Sequence, residues 1–245
     1  FAGSYFGVIW AFIQPVITVL LYWFVFEFGL HQKVNDLRTG IEVPFVLWLM
    51  GGLVPWFYFQ EALNGGTGVL DEYSYLVKKV VFQIDALPVV KLISALFTHA
   101  FFVVFMLVVF AVMGFYPDLY VLQIVYYSFC MVILTAGLIY ATSAVTVFFR
   151  DMKEVVAILL QIGMWVTPIM WNFESMQGIP KWAVVLLKLN PMYYIVSGYR
   201  DALINKTAFW EHPGLTLWFW GITLFTLWAG TTVFKRLRVH FADVL

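Results

Sequence analysis

The residues able to do chemistry in this chain are few and scattered. Its four histidines, His31, His99, His212 and His240, fall in different segments. Its one cysteine, Cys130, lies inside an apolar run; it can form no internal disulfide and suits the role of a small buried hydrophobe. There is no G-x-x-x-x-G-K-[ST] loop to hold ATP phosphates. Nor is there an H-E-x-x-H or paired-cysteine spacing for zinc, or a G-x-S-x-G elbow to present a serine. Ionisable groups inside a bilayer mark ion paths. Here Glu27 and Glu61 sit near the ends of apolar runs and Asp118 falls in a short turn. His99 alone lies deep in one. Its simple reading is a neutral histidine bonded across a helix interface, with proton coupling as the rival. With no metal, cofactor or catalytic constellation of its own, the chain reads as a passive path driven by another subunit.

What the chain has in quantity is aromatic surface: 25 Phe, 11 Trp and 13 Tyr, or 20% of residues. Trp and Tyr gather at membrane–water interfaces, which accounts for residues such as Trp48, Trp56, Trp218 and Trp220. Aromatic faces also stack on the apolar faces of sugar rings. Phe6 and Trp10 are four apart and share one helix face. Trp165 and Trp171 flank Pro168 on the fifth apolar run. These four are the candidate lining of a path, set against the plainer role of core or lipid packing.

The elements that position these residues follow from composition. Of 245 residues 63% are hydrophobic and 11% charged, with a mean hydropathy of +0.89. An ordinary soluble domain is about 45–50% apolar and about 25% charged. One core could not hide that much apolar surface, so the sequence predicts an all-α integral membrane protein, a single domain over residues 1–245. A spanning helix needs roughly 20 apolar residues. Six runs qualify: Val8–Phe28, Pro44–Leu63, Pro88–Met113, Leu119–Phe149, Val155–Trp171 and Leu215–Phe234. None alternates as a barrel strand would. Net charge is zero, which gives nucleic acid no handle.

Lys and Arg favour the cytoplasmic side. Lys235, Arg236 and Arg238 close the last run, and six spans put both termini on one face. With that face inside, Lys78, Lys79, Lys91, Arg150 and Lys153 also lie inside, while Lys33, Arg38, Lys181, Lys188, Arg200 and Lys206 lie outside.

Two connections are longer than a turn. In the inner one, Asn64-Gly65-Gly66 is expected to end the second helix, and Val69–Val81 reads as a short amphipathic helix. Such a helix lies on a membrane or docks into a soluble partner's groove. Tyr73, Tyr75, Leu76, Lys78 and Lys79 mix aromatic anchors with charge. Arg150-Asp151 and Lys153-Glu154 form either a solvated turn with local salt bridges or a second contact for the same partner. In the outer connection, Trp182–Leu189 is apolar but too short to span, and Met192–Ile204 follows Asn190-Pro191 as a second short helix.

At these residues the sequence resembles the membrane subunit of bacterial ABC exporters for cell-surface polysaccharides, the permeases for O-antigen, capsule and wall teichoic acid. The likeness runs through GSYFGVIWAFIQPVITVLLYWFVF, YLVKKVVFQIDALPV, FFRDMKEVVAILLQIGMWVTPIMW, LNPMYYIVSGYRDAL and FKRLRVHFADVL, in that order, with the teichoic acid branch nearest. The resemblance implies a homodimer bound to two copies of a separate ATPase subunit, which holds ATP and Mg. It implies a glycan substrate on an undecaprenyl diphosphate lipid, a bacterial cytoplasmic membrane, and an amphipathic helix that would precede Phe1. Tyr75, Leu76, Lys78 and Lys79 then fall on a cytoplasmic coupling helix between spans two and three, and Arg150 and Asp151 on the inner turn. Asn190, Pro191, Tyr193, Tyr194 and Arg200 fall on two external gating helices between spans five and six. The rivals are an ABC permease for another lipid or drug, a secondary transporter, and an intramembrane enzyme.

Overall fold

The computed structural model describes residues 10–29, 34–35, 42–77, 83–172 and 178–244. Eleven α-helices lie among them. The long ones are α1 (Trp10–Trp23, continued by a wider turn over Phe24–Gly29), α2 (Phe45–Thr67), α5 (Ala86–Val112), α6 (Gln123–Phe148), α7 (Met152–Val166) and α10 (Pro213–Leu237). The short ones are α3 (Val69–Glu72), α4 (Ser74–Val77), α8 (Lys181–Leu189), α9 (Pro191–Arg200) and α11 (Phe241–Val244). A two-residue antiparallel ladder pairs β1 (Val34–Asn35) with β2 (Glu42–Val43).

The fold is organised around α2. Nearly all of its residues are buried, among them Leu47, Met50, Leu53, Trp56 and Tyr58. It packs against α1, α5, α6, α7 and α9. The other long helices cover it with one face and turn an apolar stripe outward. On α5 that stripe includes Val90, Ile93, Phe97, Val104 and Val108; on α10 it includes Leu217, Leu224, Phe225 and Trp228. An apolar stripe of that length is unstable in water but at home in lipid. Four segments are long and apolar enough to cross a bilayer: Phe12–Gly29, Ala86–Val112, Leu119–Phe148 and Pro213–His240. α2 has the length, about 34 Å at about 1.5 Å per residue, but its surroundings are protein rather than lipid. α7, at 15 residues, reaches only about 22 Å.

Close helix approach depends on glycine at two places. A Cβ on Gly137 of α6 would stand 2.7 Å from the Leu227 backbone nitrogen of α10, so these helices meet backbone to backbone. Gly66 meets Ile139 of α6, where a Cβ would stand 2.6 Å from the side chain. This corrects the expectation that Asn64-Gly65-Gly66 ends the second helix. α2 runs on to Thr67 and caps at Gly68. The glycines serve packing, not termination.

Three further expectations are corrected. The predicted helix over Val69–Val81 is two single turns, α3 and α4, broken at Tyr73; residues 78–82 lie outside the described set. The fifth run ends at Val166, before Trp171. Pro168 disfavours helical geometry in the residue before it, and Thr167 is extended, with ψ 124°. Trp48 and Trp56 do not sit at a surface: they are 6% and 1% exposed, inside the core around α2.

Candidate functional site

The predicted functional residues separate into two clusters, one near each end of α2. The first is built on α9. Asn190 accepts a hydrogen bond from the Met192 N–H at 3.0 Å, and Pro191 follows at the first helical position, a strong helix start. The Asn190 amide also donates to the Thr167 hydroxyl at 2.8 Å, so the start of α9 is pinned just past the end of α7. Tyr193 and Tyr194 are buried. The Tyr194 hydroxyl meets those of Tyr126 at 3.1 Å and Thr216 at 3.0 Å, on α6 and α10.

Arg200 closes the cluster. Its guanidinium donates from Nη1 to the Pro168 carbonyl and from Nη2 to the Ile169 carbonyl, both at 2.8 Å, and from Nε to the Trp48 carbonyl at 3.3 Å. It also lies 3.4 Å over the Trp48 ring, a cation–π contact in a buried setting. Space for it comes from Gly51-Gly52: a Cβ on Gly52 would stand 2.9 Å from Nη2 and 3.1 Å from Ile169 Cγ2. One side chain therefore ties α9 to α2 and to the turn that leaves α7. Sequence reading named Arg200 but missed its seat; the Gly51-Gly52 pair on an apolar helix was the available signal. His99 is where its simple reading expects it. Its Nε2 meets the hydroxyls of Tyr199 at 2.9 Å and Ser128 at 3.3 Å, across three helices.

The second cluster lies at the other end of α2. Val69 and Leu70 of α3 bury against Leu87, Ala144, Val147, Phe234 and Phe241. Ion pairs surround this apolar seat: Lys153–Asp71 at 2.7 Å, Lys91–Glu72 at 2.7 Å and Arg238–Asp85 at 2.5 Å. The first of these joins α3 to the start of α7, beside Arg150 and Asp151, which are exposed in the turn before it. Tyr75 is 58% exposed on α4, with its ring 6.4 Å from that of Tyr73. The Leu76 side chain, Lys78 and Lys79 lie outside the described set. Sequence reading offered two contacts for one partner; the Lys153–Asp71 pair puts both on one surface.

The four path candidates are not gathered into a third cluster. Phe6 lies outside the described residues. Trp10 opens α1 and is 47% exposed, while Trp165 stands near the far end of α7 and is 60% exposed. The Trp171 indole donates to the Trp165 carbonyl at 3.0 Å. What does gather is a set that sequence reading missed. Gln14, Thr18 and Tyr22 of α1 face Gln60, Glu61 and Asn64 of α2 and Thr98 of α5 across a cavity of about 440 Å³, bordered by Met164 of α7. The i, i+4, i+8 spacing of polar residues on α1 was the signal. Among the described residues no group of histidine, cysteine and carboxylates could hold a metal.

Residues 1–204 match the family model described as ABC-2 type transporter. The chain is 26% identical over 243 residues to the O-antigen export system permease protein RfbA of Myxococcus xanthus, covering 99% of this chain and 89% of that one. It is 25% identical to the protein of the same name from Klebsiella pneumoniae, covering 100% and 90%. It is 26% identical to the polysialic acid transport protein KpsM of Escherichia coli, covering 94% and 85%. The family match takes in both clusters, and the apolar stripes of the long helices fit a bilayer: the chain is a multi-pass membrane protein that belongs to the ABC-2 type transporter family.

Proposed function

We propose that this chain is the membrane subunit of an ATP-driven exporter that moves a lipid-linked polysaccharide across the bacterial cytoplasmic membrane. The observation that carries the reading is the end-to-end likeness to O-antigen export permeases. An undecaprenyl diphosphate carrier and a glycan of O-antigen or wall teichoic acid type are the finer terms of the proposal. The relatives' names lean toward O-antigen.

The architecture supports a division of labour. The long helices alternate in direction, as the clusters at the two ends of α2 reveal. Six passes then follow if α2 and α7 cross within the bundle, α7 completed by the turn that Arg200 holds. Both termini lie on the cytoplasmic side, with α3, α4 and the Arg150-Asp151 turn. That face meets the ABC ATPase, which binds ATP and Mg. Two copies of each subunit assemble, and the path forms between the two permease chains along α1 and α7, past Phe6, Trp10, Trp165 and Trp171. α8 and α9 stand at the outer end as the gate. Closure of the ATPase pair on ATP pushes the α3–α4 elbow, and α2 carries that displacement rigidly to Arg200 and α9.

The deciding experiment is export in a strain whose own copy is deleted, with surface glycan as the readout. Wild-type chain restores it. Lys78→Glu with Lys79→Glu keeps the assembled complex and its ATP hydrolysis but loses surface glycan. Full export from that variant overturns the coupling role, and glycan levels independent of the chain overturn the function.

A further inference from the structure

We propose that the cavity between α1, α2 and α5 is a binding subsite for an uncharged, hydroxyl-rich stretch of glycan, and that Glu61 makes it reject anionic segments. The inference rests on the export reading above and adds a chemical selectivity to it.

The cavity volume, about 440 Å³, lies within the range of about 300–1,000 Å³ usual for small-ligand sites. Its polar groups are ordered rather than scattered. Gln14, Thr18 and Tyr22 recur every four residues, so they stack on one face of α1 over about 12 Å. Gln60, Glu61 and Asn64 oppose them from α2, and the Thr98 side chain hydrogen-bonds Glu61. Gln14, Gln60, Glu61 and Asn64 are all exposed to the cavity mouth, in a chain that is 63% hydrophobic. Polar side chains at such depth face a lumen or a ligand, because lipid offers them no partner.

The mixture suits sugars. Amide side chains donate and accept, hydroxyls do both, and together they match hydroxyl groups in any orientation. Phe57 and Phe102 in the same wall supply apolar faces for the rings. Charge sets the selectivity. Glu61 is the only carboxylate among the lining residues, and no Lys or Arg stands with it. A phosphate or carboxylate entering there would meet a like charge with no cation to offset it, in a setting of low dielectric.

The test uses the full-length chain in detergent and two probes: the neutral glucose oligomer isomaltoheptaose and the same oligomer phosphorylated. Calorimetric titration gives the dissociation constants. The neutral probe binds wild type, and the phosphorylated probe binds at least about tenfold more weakly. Gln14→Leu with Glu61→Leu weakens the neutral probe by about tenfold or more, since buried hydrogen bonds are lost. Glu61→Gln keeps neutral binding and brings the phosphorylated probe close to it. Unchanged thermal unfolding keeps each variant interpretable. Equal binding of the two probes by wild type overturns the selectivity. Neutral binding unaffected by the double substitution overturns the site. Chain-dependent export of surface glycan without neutral-probe binding also sinks the subsite while sparing the export reading. Probe binding without chain-dependent export does the reverse.

Discussion

The two ends of α2 are held by opposite kinds of force. At the α9 end a buried guanidinium donates to three carbonyls and stacks on Trp48. At the α3 end, ion pairs with partly exposed side chains rim a small apolar seat. Buried charge-assisted hydrogen bonds are strong and depend on a single geometry. Half-exposed ion pairs contribute little and can exchange partners. The difference teaches where displacement is cheap. The α3 end can shift against a soluble partner at small cost, whereas the α9 end moves only as a block with the α7 turn and the first turns of α2. A lever from a motor to a gate needs this asymmetry.

The most damaging test of that contrast is Arg200→Ala. It strands the Pro168, Ile169 and Trp48 carbonyls inside the bundle, and a buried group left without its partner costs about 1–3 kcal/mol each. We expect at least about 3 kcal/mol of lost stability, read as a large drop in thermal midpoint in detergent or as failure to accumulate. Arg200→Lys keeps the charge but not the planar fork and recovers less than half of it. A variant as stable as wild type removes the block from the model. Gly52→Val is next. The added side chain enters space that Nη2 and Ile169 occupy, and overpacking of this kind costs about 1–3 kcal/mol. Thermal unfolding measures it, and adding Arg200→Ala in the same chain should relieve part of the clash, a non-additivity that shared contact demands.

Asn190→Ala has an intermediate effect. It removes the helix cap and the bond to Thr167, together about 1–2 kcal/mol. Asn190→Asp keeps the cap but loses the amide donor, so it separates the two contributions by the same unfolding measurement.

How far these sites were legible depends on the range of the interactions involved. Asn190-Pro191 is a local start signal, and the sequence placed α8 and α9 correctly from it. Hydropathy located the apolar runs because lipid contact is a property of each helix alone. What escaped were properties of pairs. Gly65-Gly66 looks like a stop in isolation, yet Ile139, more than seventy positions on, turns Gly66 into a packing notch. Trp48 looks like an interface residue until Arg200, 152 positions away, is laid across it. The polar stripe Gln14–Thr18–Tyr22 carried the helical period but stood within an otherwise apolar run, and its meaning depends on Glu61 standing opposite. Pro168 was a local signal that deserved more weight against the length of its apolar run.

The gentlest perturbation sharpens the contrast most. Lys153 and Asp71 form their pair with side chains 44% and 21% exposed. Breaking it by Asp71→Ala should cost no more than about 1 kcal/mol, so the protein stays folded and assembled. If the pair only decorated the surface, nothing else would change. If it unites α3 with the α7 turn into one docking surface, ATP hydrolysis by the partner and glycan export should separate, with export falling more than hydrolysis. The swap Asp71→Lys with Lys153→Asp then restores export, because the link needs opposite charges but not a fixed direction. Raised salt should mimic Asp71→Ala in the wild type and leave an already unpaired variant unchanged, since screening acts on exposed pairs and hardly reaches Arg200. Salt sensitivity at one end of α2 and none at the other is what a soft elbow joined to a rigid knot requires.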